Sequence, residues 1–215
     1  MSPEGGPRSA VGFRLYAVTD RSLAGEARLA DLLALLCANG LKGVQIREKD
    51  LPEKELVRLI GECRPAFERH GTAWFVNSSA GTAARTGASG VHLSSLQDVA
   101  AARTLMGGGM LIGKSVHGAG EAEDARVAGA DFLVFGPVYD TPSKRASGPP
   151  QGLERLREVC ESVDIPVFAI GGVSPARAAE CREAGAFGAA AMSSLMAAVE
   201  PLEVMKEYER SLGTL

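Results

Sequence analysis

Gln45, Arg47 and Lys49 alternate along the run Gln45-Ile46-Arg47-Glu48-Lys49-Asp50. In an extended chain successive side chains point to opposite faces, so these three share one face while Val44 and Ile46 share the other. An amide and two cations on one face suit an anionic, phosphorylated substrate, because guanidinium and ammonium groups make charge-assisted hydrogen bonds to phosphate oxygens. A second run, Gly113-Lys114-Ser115-Val116-His117, brings Ser115 and His117 together in the same way. Histidine is the side chain that ordinarily exchanges protons near neutral pH. The chain has three of them. His70 precedes Gly71 at an expected helix end, where a cation suits the macrodipole. His92, between Val91 and Leu93, reads equally as an interior residue or a site residue. His117, at a strand end beside Gly118, is the candidate for acid–base catalysis.

Two later features extend this picture. Gly171 and Gly172 end an apolar run and let backbone N–H groups approach an anion; Ser193 and Ser194 end the next, where they can cap a helix and offer hydroxyls. Between them in function lies the polar segment Asp140–Gly152, read as a mobile lid whose Thr141, Ser143 and Lys144 close over phosphate oxygens. Metal ligands are scarce: no HxH, HExxH or CxxC pattern occurs, and Asn77-Ser78 offers no carboxylate at its strand end. No metal site is expected.

These residues need a scaffold that gathers strand ends. Eight short β-rich runs supply it, at 14–19, 43–47, 73–77, 90–93, 111–116, 131–136, 166–171 and 188–192. Amphipathic stretches separate them, with Leu32, Leu35 and Leu36 at helical spacing. Gly40, Gly71, Gly87, Gly129 and Gly185 mark helix ends, and Ser174-Pro175 marks a helix start. Alternation of this kind implies parallel strands with helical crossovers, and eight units fit a single (β/α)8 TIM barrel of class α/β, over residues 14–215. An open doubly wound sheet is the competitor, but the first strand runs into Thr19-Asp20-Arg21-Ser22-Leu23-Ala24-Gly25, which is no phosphate-binding glycine loop. Residues 1–13 read as a disordered leader.

Composition excludes several classes. With 23 Lys+Arg against 26 Asp+Glu the formal charge is -3, unlike a nucleic-acid module or a polybasic membrane binder. No apolar stretch reaches transmembrane length. Cys37, Cys63, Cys160 and Cys181 are spread apart and read as reduced core thiols of a cytoplasmic protein.

The conjunction YAVTD, QIREKD, VHLSSLQD, IGKSVH, FGPVYDTPSK, IPVFAIGG and AMSS resembles the superfamily of thiamin phosphate synthase and TenI-type thiazole tautomerase, over about Arg14 to Leu212. The resemblance implies a (β/α)8 barrel acting on phosphorylated thiamin precursors. The synthase branch joins a pyrimidine diphosphate to a thiazole phosphate with magnesium, typically held by Asn-Asp after strand three and an Asp after strand four. Here those positions resemble Asn77-Ser78 and Gln97, with Asp98 one residue late. Gln45, Arg47, Lys49, Asn77, Ser115, Thr141, Ser143 and Lys144 match substrate-binding positions of the superfamily. The tautomerase branch resembles this chain in IGKSVH and in AMSSLMAAVEPLE, and implies proton transfer by His117 without a metal, with Gly171, Gly172, Ser193 and Ser194 anchoring the phosphate. The expected function is therefore a TenI-like thiazole tautomerase with no cofactor. Its expected partner is a phosphorylated thiazole or related thiamin precursor, with no nucleic acid and no membrane, and the expected state is a homo-oligomer. Two alternatives accompany it. One is a divergent synthase needing Mg2+, with Asp98 and Asp20 or Asp50 recruiting the metal. The other is a non-catalytic paralogue that binds a thiamin-related phosphate.

Overall fold

Inward–outward alternation of side chains builds a barrel whose strands follow one another in chain order. The computed structural model describes residues 11–24, 28–141 and 149–214. Its strands are β1 (Leu15–Val18), β2 (Gly43–Ile46), β3 (Ala73–Asn77), β4 (Gly90–Leu93), β5 (Leu111–Val116), β6 (Phe132–Phe135), β7 (Val167–Ala169) and β8 (Gly188–Ala191). Each pairs in parallel with the next, and β8 pairs with β1, closing the barrel. Each lies inside one of the eight runs read from the sequence. A single (β/α)8 barrel is therefore the fold. The crossovers are α1 (Leu29–Ala38), α2 (Glu53–His70), α3 (Ala80–Thr86), α4 (Val99–Met106), α5 (Ala119–Val127), α6 (Gly152–Ser162), α7 (Pro175–Glu183) and, after β8, α8 (Ser193–Met196) and α9 (Pro201–Leu212).

Two separate cores result. Outward residues such as Val44, Ile46, Trp74, Val76, Val91 and Ile112 pack under the helices. Inward residues Tyr16, Phe75, Phe132 and Phe168 fill the barrel's lower half. Glycines on neighbouring strands make room for these rings: a Cβ on Gly43 would lie 2.4 Å from the Phe13 ring, and one on Gly113 2.3 Å from that of Phe132.

Three expectations need correcting. Val11 and Phe13, inside the segment read as a leader, are buried; Phe13 closes the barrel floor with its ring 5.3 Å from Tyr16 and 5.4 Å from Phe168. The hydrophobic effect holds these residues, since an aromatic ring at the barrel end removes much apolar surface from water. Residues 1–10 lie outside the described residues. Leu35 is largely exposed at 44%, because the face of α1 that meets the barrel is Leu29, Leu32, Leu33, Leu36 and Cys37. Ser193 and Ser194 do not cap α8: they are its first two residues, and Met192 stands at the cap position. The other helix signals match. Gly71 and Gly87 end α2 and α3 in the left-handed conformation, and Ser174 caps α7 ahead of Pro175. The four cysteines are free thiols. Among the described residues no helix is long and apolar enough to cross a membrane.

Candidate functional site

The upper, C-terminal ends of the strands surround a cavity of about 660 Å³. Its walls contain Gln45, Arg47, Lys49, Asn77, Ser115, His117, Thr141, Gly171, Gly172, Ser193 and Ser194. Ser143 and Lys144 lie outside the described residues. Period-two alternation explains the grouping, since β1, β3, β6 and β7 each send a residue inward two positions above one in the aromatic floor. Thus Phe75 is followed by Asn77, Tyr16 by Val18 and Asp20, and Phe132 by Val134 and Gly136.

On one side, polar groups form a chain. The amide of Gln45, nearly buried, donates to Asn77 Oδ1 at 2.9 Å, and Asn77 Nδ2 donates to Ser78 Oγ at 3.0 Å. Ser78 holds a left-handed backbone with φ 59, unusual for a residue other than glycine. Its N–H donates to the carbonyl of His92 at 2.8 Å, and its carbonyl accepts from Gln97 Nε2 at 2.8 Å. Gln97 Oε1 accepts in turn from the backbone N–H of Ser94 at 2.9 Å. Beneath this loop the ammonium of Lys114 donates to the carbonyls of Ser94, Ser95 and Gln97. Burial pulls Lys114 below the usual lysine range.

Arg47 and Lys49 supply the cavity's positive charge. Their strand end is fixed by a buried carboxylate: Glu48 accepts from Thr19 Oγ1 at 2.6 Å and from the backbone and side chain of Arg21 at 3.1 and 3.2 Å. Thr19 Oγ1 in turn accepts the N–H of Arg47 at 2.9 Å. Sequence reasoning missed Thr19 and Glu48. Their signal was available in the alternation, which turns Glu48 away from Arg47 and Lys49 and so leaves it needing a partner inside the protein.

The two histidines of the site differ. His117 Nδ1 lies 2.7 Å from the carbonyl of Gly136. A carbonyl only accepts, so Nδ1 carries a proton, and in the neutral ring Nε2 is the nitrogen with the lone pair. Nε2 makes no hydrogen bond among the described residues, and the ring lines the cavity. His92 is 3% exposed and its Nε2 lies 2.9 Å from Ser115 Oγ. Burial, reinforced by the charges of Arg47 and Lys114, pushes His92 down to about 3, so it is neutral.

At the opposite wall Gly171 and Gly172 adopt φ 92 and 64. The segment after β6 crosses closely over them, and a Cβ on Gly171 would stand 2.5 Å from Pro137. Ser194 Oγ lies 2.7 Å from the hydroxyl of Tyr208, which donates to the carbonyl of Val173 at 2.5 Å. Tyr208 has only one proton to give, so Ser194 donates to Tyr208 and its hydroxyl is committed to packing α8 on α9.

The donor set does not fit a magnesium ion. Mg2+ in phosphate-processing sites is held by one or two carboxylates beside substrate oxygens. Among the described residues lining the cavity the one carboxylate is Asp20, and its Oδ1 accepts from the N–H and hydroxyl of Ser22 at 3.1 and 2.6 Å. Asp98 caps α4 through the N–H groups of Ala100 and Ala101. Asp50 is paired with Arg21 at 2.6 Å. Among the described residues no three His, Cys, Asp or Glu side chains converge.

Known proteins resemble this chain along most of its length. The family model for thiamine monophosphate synthase, TMP-TENI, matches residues 15–195. A putative thiamine-phosphate synthase of Geobacter sulfurreducens is 43% identical, over 90% of this chain and 91% of that protein. A putative thiamine-phosphate synthase 2 of Aquifex aeolicus is 35% identical, over 85% of this chain and 97% of its own. The solved thiamine phosphate pyrophosphorylase of Pyrococcus furiosus superposes with a TM-score of 0.84 at 30% identity, covering 94% of this chain and 96% of that one. An eight-stranded barrel and a family match that spans all eight strands agree: the chain belongs to the thiamine monophosphate synthase/TenI family of thiamine biosynthesis.

Proposed function

We propose that the barrel mouth binds a phosphorylated thiazole precursor of thiamin and that His117 isomerises it by metal-free proton transfer, a thiazole tautomerase. The observation that carries this reading is the tautomer of His117. Nδ1–H is tied to Gly136 and the ring lines the cavity, so Nε2 of the neutral ring is the proposed base. It takes a proton from a ring carbon of the non-aromatic thiazole carboxylate phosphate. The imidazolium so formed returns a proton to the exocyclic carbon, the ring becomes aromatic, and His117 ends as it began. A positioned acid–base group supplies typically ~10²–10⁴-fold. Phosphate anchoring by the backbone at Gly171, Gly172 and Ser193, with Ser194 contributing its N–H, supports the orientation of the ring. Thr141, Ser143 and Lys144 are proposed to close over the phosphate, with Gln45, Arg47, Lys49, Asn77 and Ser115 around the ring. The reading includes a cytoplasmic homo-oligomer.

A second reading, a thiamin phosphate synthase, is favoured by the names of the relatives above, two putative thiamine-phosphate synthases and a thiamine phosphate pyrophosphorylase. Against it stands the neutral Ser78–Gln97 bridge where a departing pyrophosphate needs compensating charge. One pair of assays separates the two. The tautomerase aromatises its substrate in EDTA, seen as growing thiazole absorbance. The synthase releases pyrophosphate from a pyrimidine diphosphate and thiazole phosphate only with Mg2+. Mg2+-dependent pyrophosphate release without isomerisation overturns the first reading. Tight binding of thiazole phosphate with neither activity leaves the non-catalytic paralogue.

A further inference from the structure

We propose that His92 is a positioning residue that makes Ser115 a one-way hydrogen-bond donor, so that the cavity presents a matched pair: the Ser115 hydroxyl as donor and His117 Nε2 as acceptor. The inference rests on the proton-transfer reading and names its second group.

The argument begins with two orphan atoms. Among the described residues, His92 Nδ1 and the Tyr16 hydroxyl are buried side-chain polar atoms without a partner. They share one aromatic cluster: the His92 ring lies 5.9 Å from that of Tyr16 and 6.1 Å from that of Phe132. Nδ1 also sits over the Gly113 backbone, where an added Cβ would come within 2.9 Å. A neutral imidazole carries one N–H, and it has two places to go.

On Nδ1 that proton would be a buried donor with no acceptor, the rarest kind of unpaired group. On Nε2 it meets Ser115 Oγ at 2.9 Å. The lone pair then left on Nδ1 is an unpaired acceptor, which costs less than an unpaired donor, and this selects the Nε2–H tautomer. Burial and the cations Arg47 and Lys114 keep the ring neutral, so the choice is not lost to double protonation.

The consequence falls on Ser115. Its oxygen accepts from His92, so its own proton points elsewhere, and Ser115 lines the cavity. His117, two residues on, has the opposite tautomer because its Nδ1 is tied to Gly136. As His117 Nε2 removes a ring proton, the Ser115 O–H donates to the atom on which negative charge develops. Two histidines thus serve opposite ends of one transfer: one touches the substrate, the other acts through a serine.

Histidine-selective 15N labelling of the full chain tests this without any ligand. Long-range 1H–15N spectra at pH 7 report the tautomer of each of the three rings, with His92→Gln and His117→Asn assigning the two of interest. The expected result is a neutral Nε2–H ring for His92 and an Nδ1–H form for neutral His117. An Nδ1–H or protonated His92 overturns the proposal. Kinetics on the thiazole carboxylate phosphate adds a second arm. The Gln amide reaches the place of Nε2 and the Asn amide that of Nδ1. His92→Gln is expected to keep most of kcat, while His92→Asn loses about tenfold or more in kcat at similar KM. Equal loss in both folded variants overturns the positioning role. If the wild-type chain has no isomerase activity, the proton-transfer reading falls, and the spectra still decide the tautomer.

Discussion

The two ends of this barrel are made by the same strands, two residues apart, and they do opposite things. At the lower end Tyr16, Phe75, Phe132 and Phe168 meet in edge-on and tilted contacts with centroids 5.2–5.8 Å apart, and Phe13 seals them from below. At the upper end Asn77, two residues above Phe75, joins Ser115, His117 and the two glycines around open space. The difference teaches how a small barrel divides its tasks. Burial of rings at one end supplies stability, which leaves the other end free to keep a cavity, an αL serine and a buried histidine whose Nδ1 has no partner among the described residues. Substitutions should therefore separate cleanly: stability is lost below and chemistry above.

The largest expected effect is above. His117→Asn should lower isomerase kcat by about 10²–10⁴-fold while the melting temperature stays near that of the wild type. A large fall in Tm would break the division. Below, Phe132→Ala should cost about 3–5 kcal/mol of stability, roughly 10 °C in Tm, measured by thermal or denaturant unfolding. Its ring lies against Gly113, one position from the residues that hold the site. A kcat loss larger than that of His117→Asn in the folded fraction would show that the floor does more than support.

Gly171→Ala sits at the boundary. It forces a Cβ onto φ 92 and within 2.5 Å of Pro137, so both stability, by about 1–3 kcal/mol, and affinity for a phosphate ligand should fall. Calorimetry with thiazole phosphate checks the second.

Acid is the gentlest probe. The unfolded His92 imidazole binds a proton near pH 6.5, whereas in the folded chain burial holds it to about 3. Between these values the unfolded state holds more protons, so lowering the pH destabilises the fold. The loss is about 2 kcal/mol at pH 5, and His92→Gln should remove that slope from the unfolding curve.

The eight strands were legible because period-two alternation survives in runs as short as Gly90–Leu93. The clustering of Gln45, Arg47, Lys49, Ser115 and His117 was legible for the same reason. What escaped was whatever depends on tertiary partners. Phe13 reads as part of a disordered leader until the barrel floor is there to receive it. Leu35 fits a helical stripe, yet α1 is rotated so that Leu33 takes the inner place. The hydroxyl of Ser194 looks free for phosphate until Tyr208, fourteen residues later, claims it. His92 reads equally as an interior or a site residue, because its role lies in one contact with Ser115 and, among the described residues, no contact at Nδ1, and neither can be read along the chain.

The most direct test of the account is an isotope experiment at the open end. The chain is incubated with the non-aromatic thiazole carboxylate phosphate in D2O containing EDTA, and the product is read by NMR. Proton transfer by His117 is expected to yield aromatic thiazole in EDTA, with deuterium at the exocyclic carbon in the fraction whose imidazolium exchanges with solvent before returning its proton, and no product above background from His117→Asn. No aromatic product from the wild-type chain, alongside Mg2+-dependent pyrophosphate release from a pyrimidine diphosphate, would contradict it.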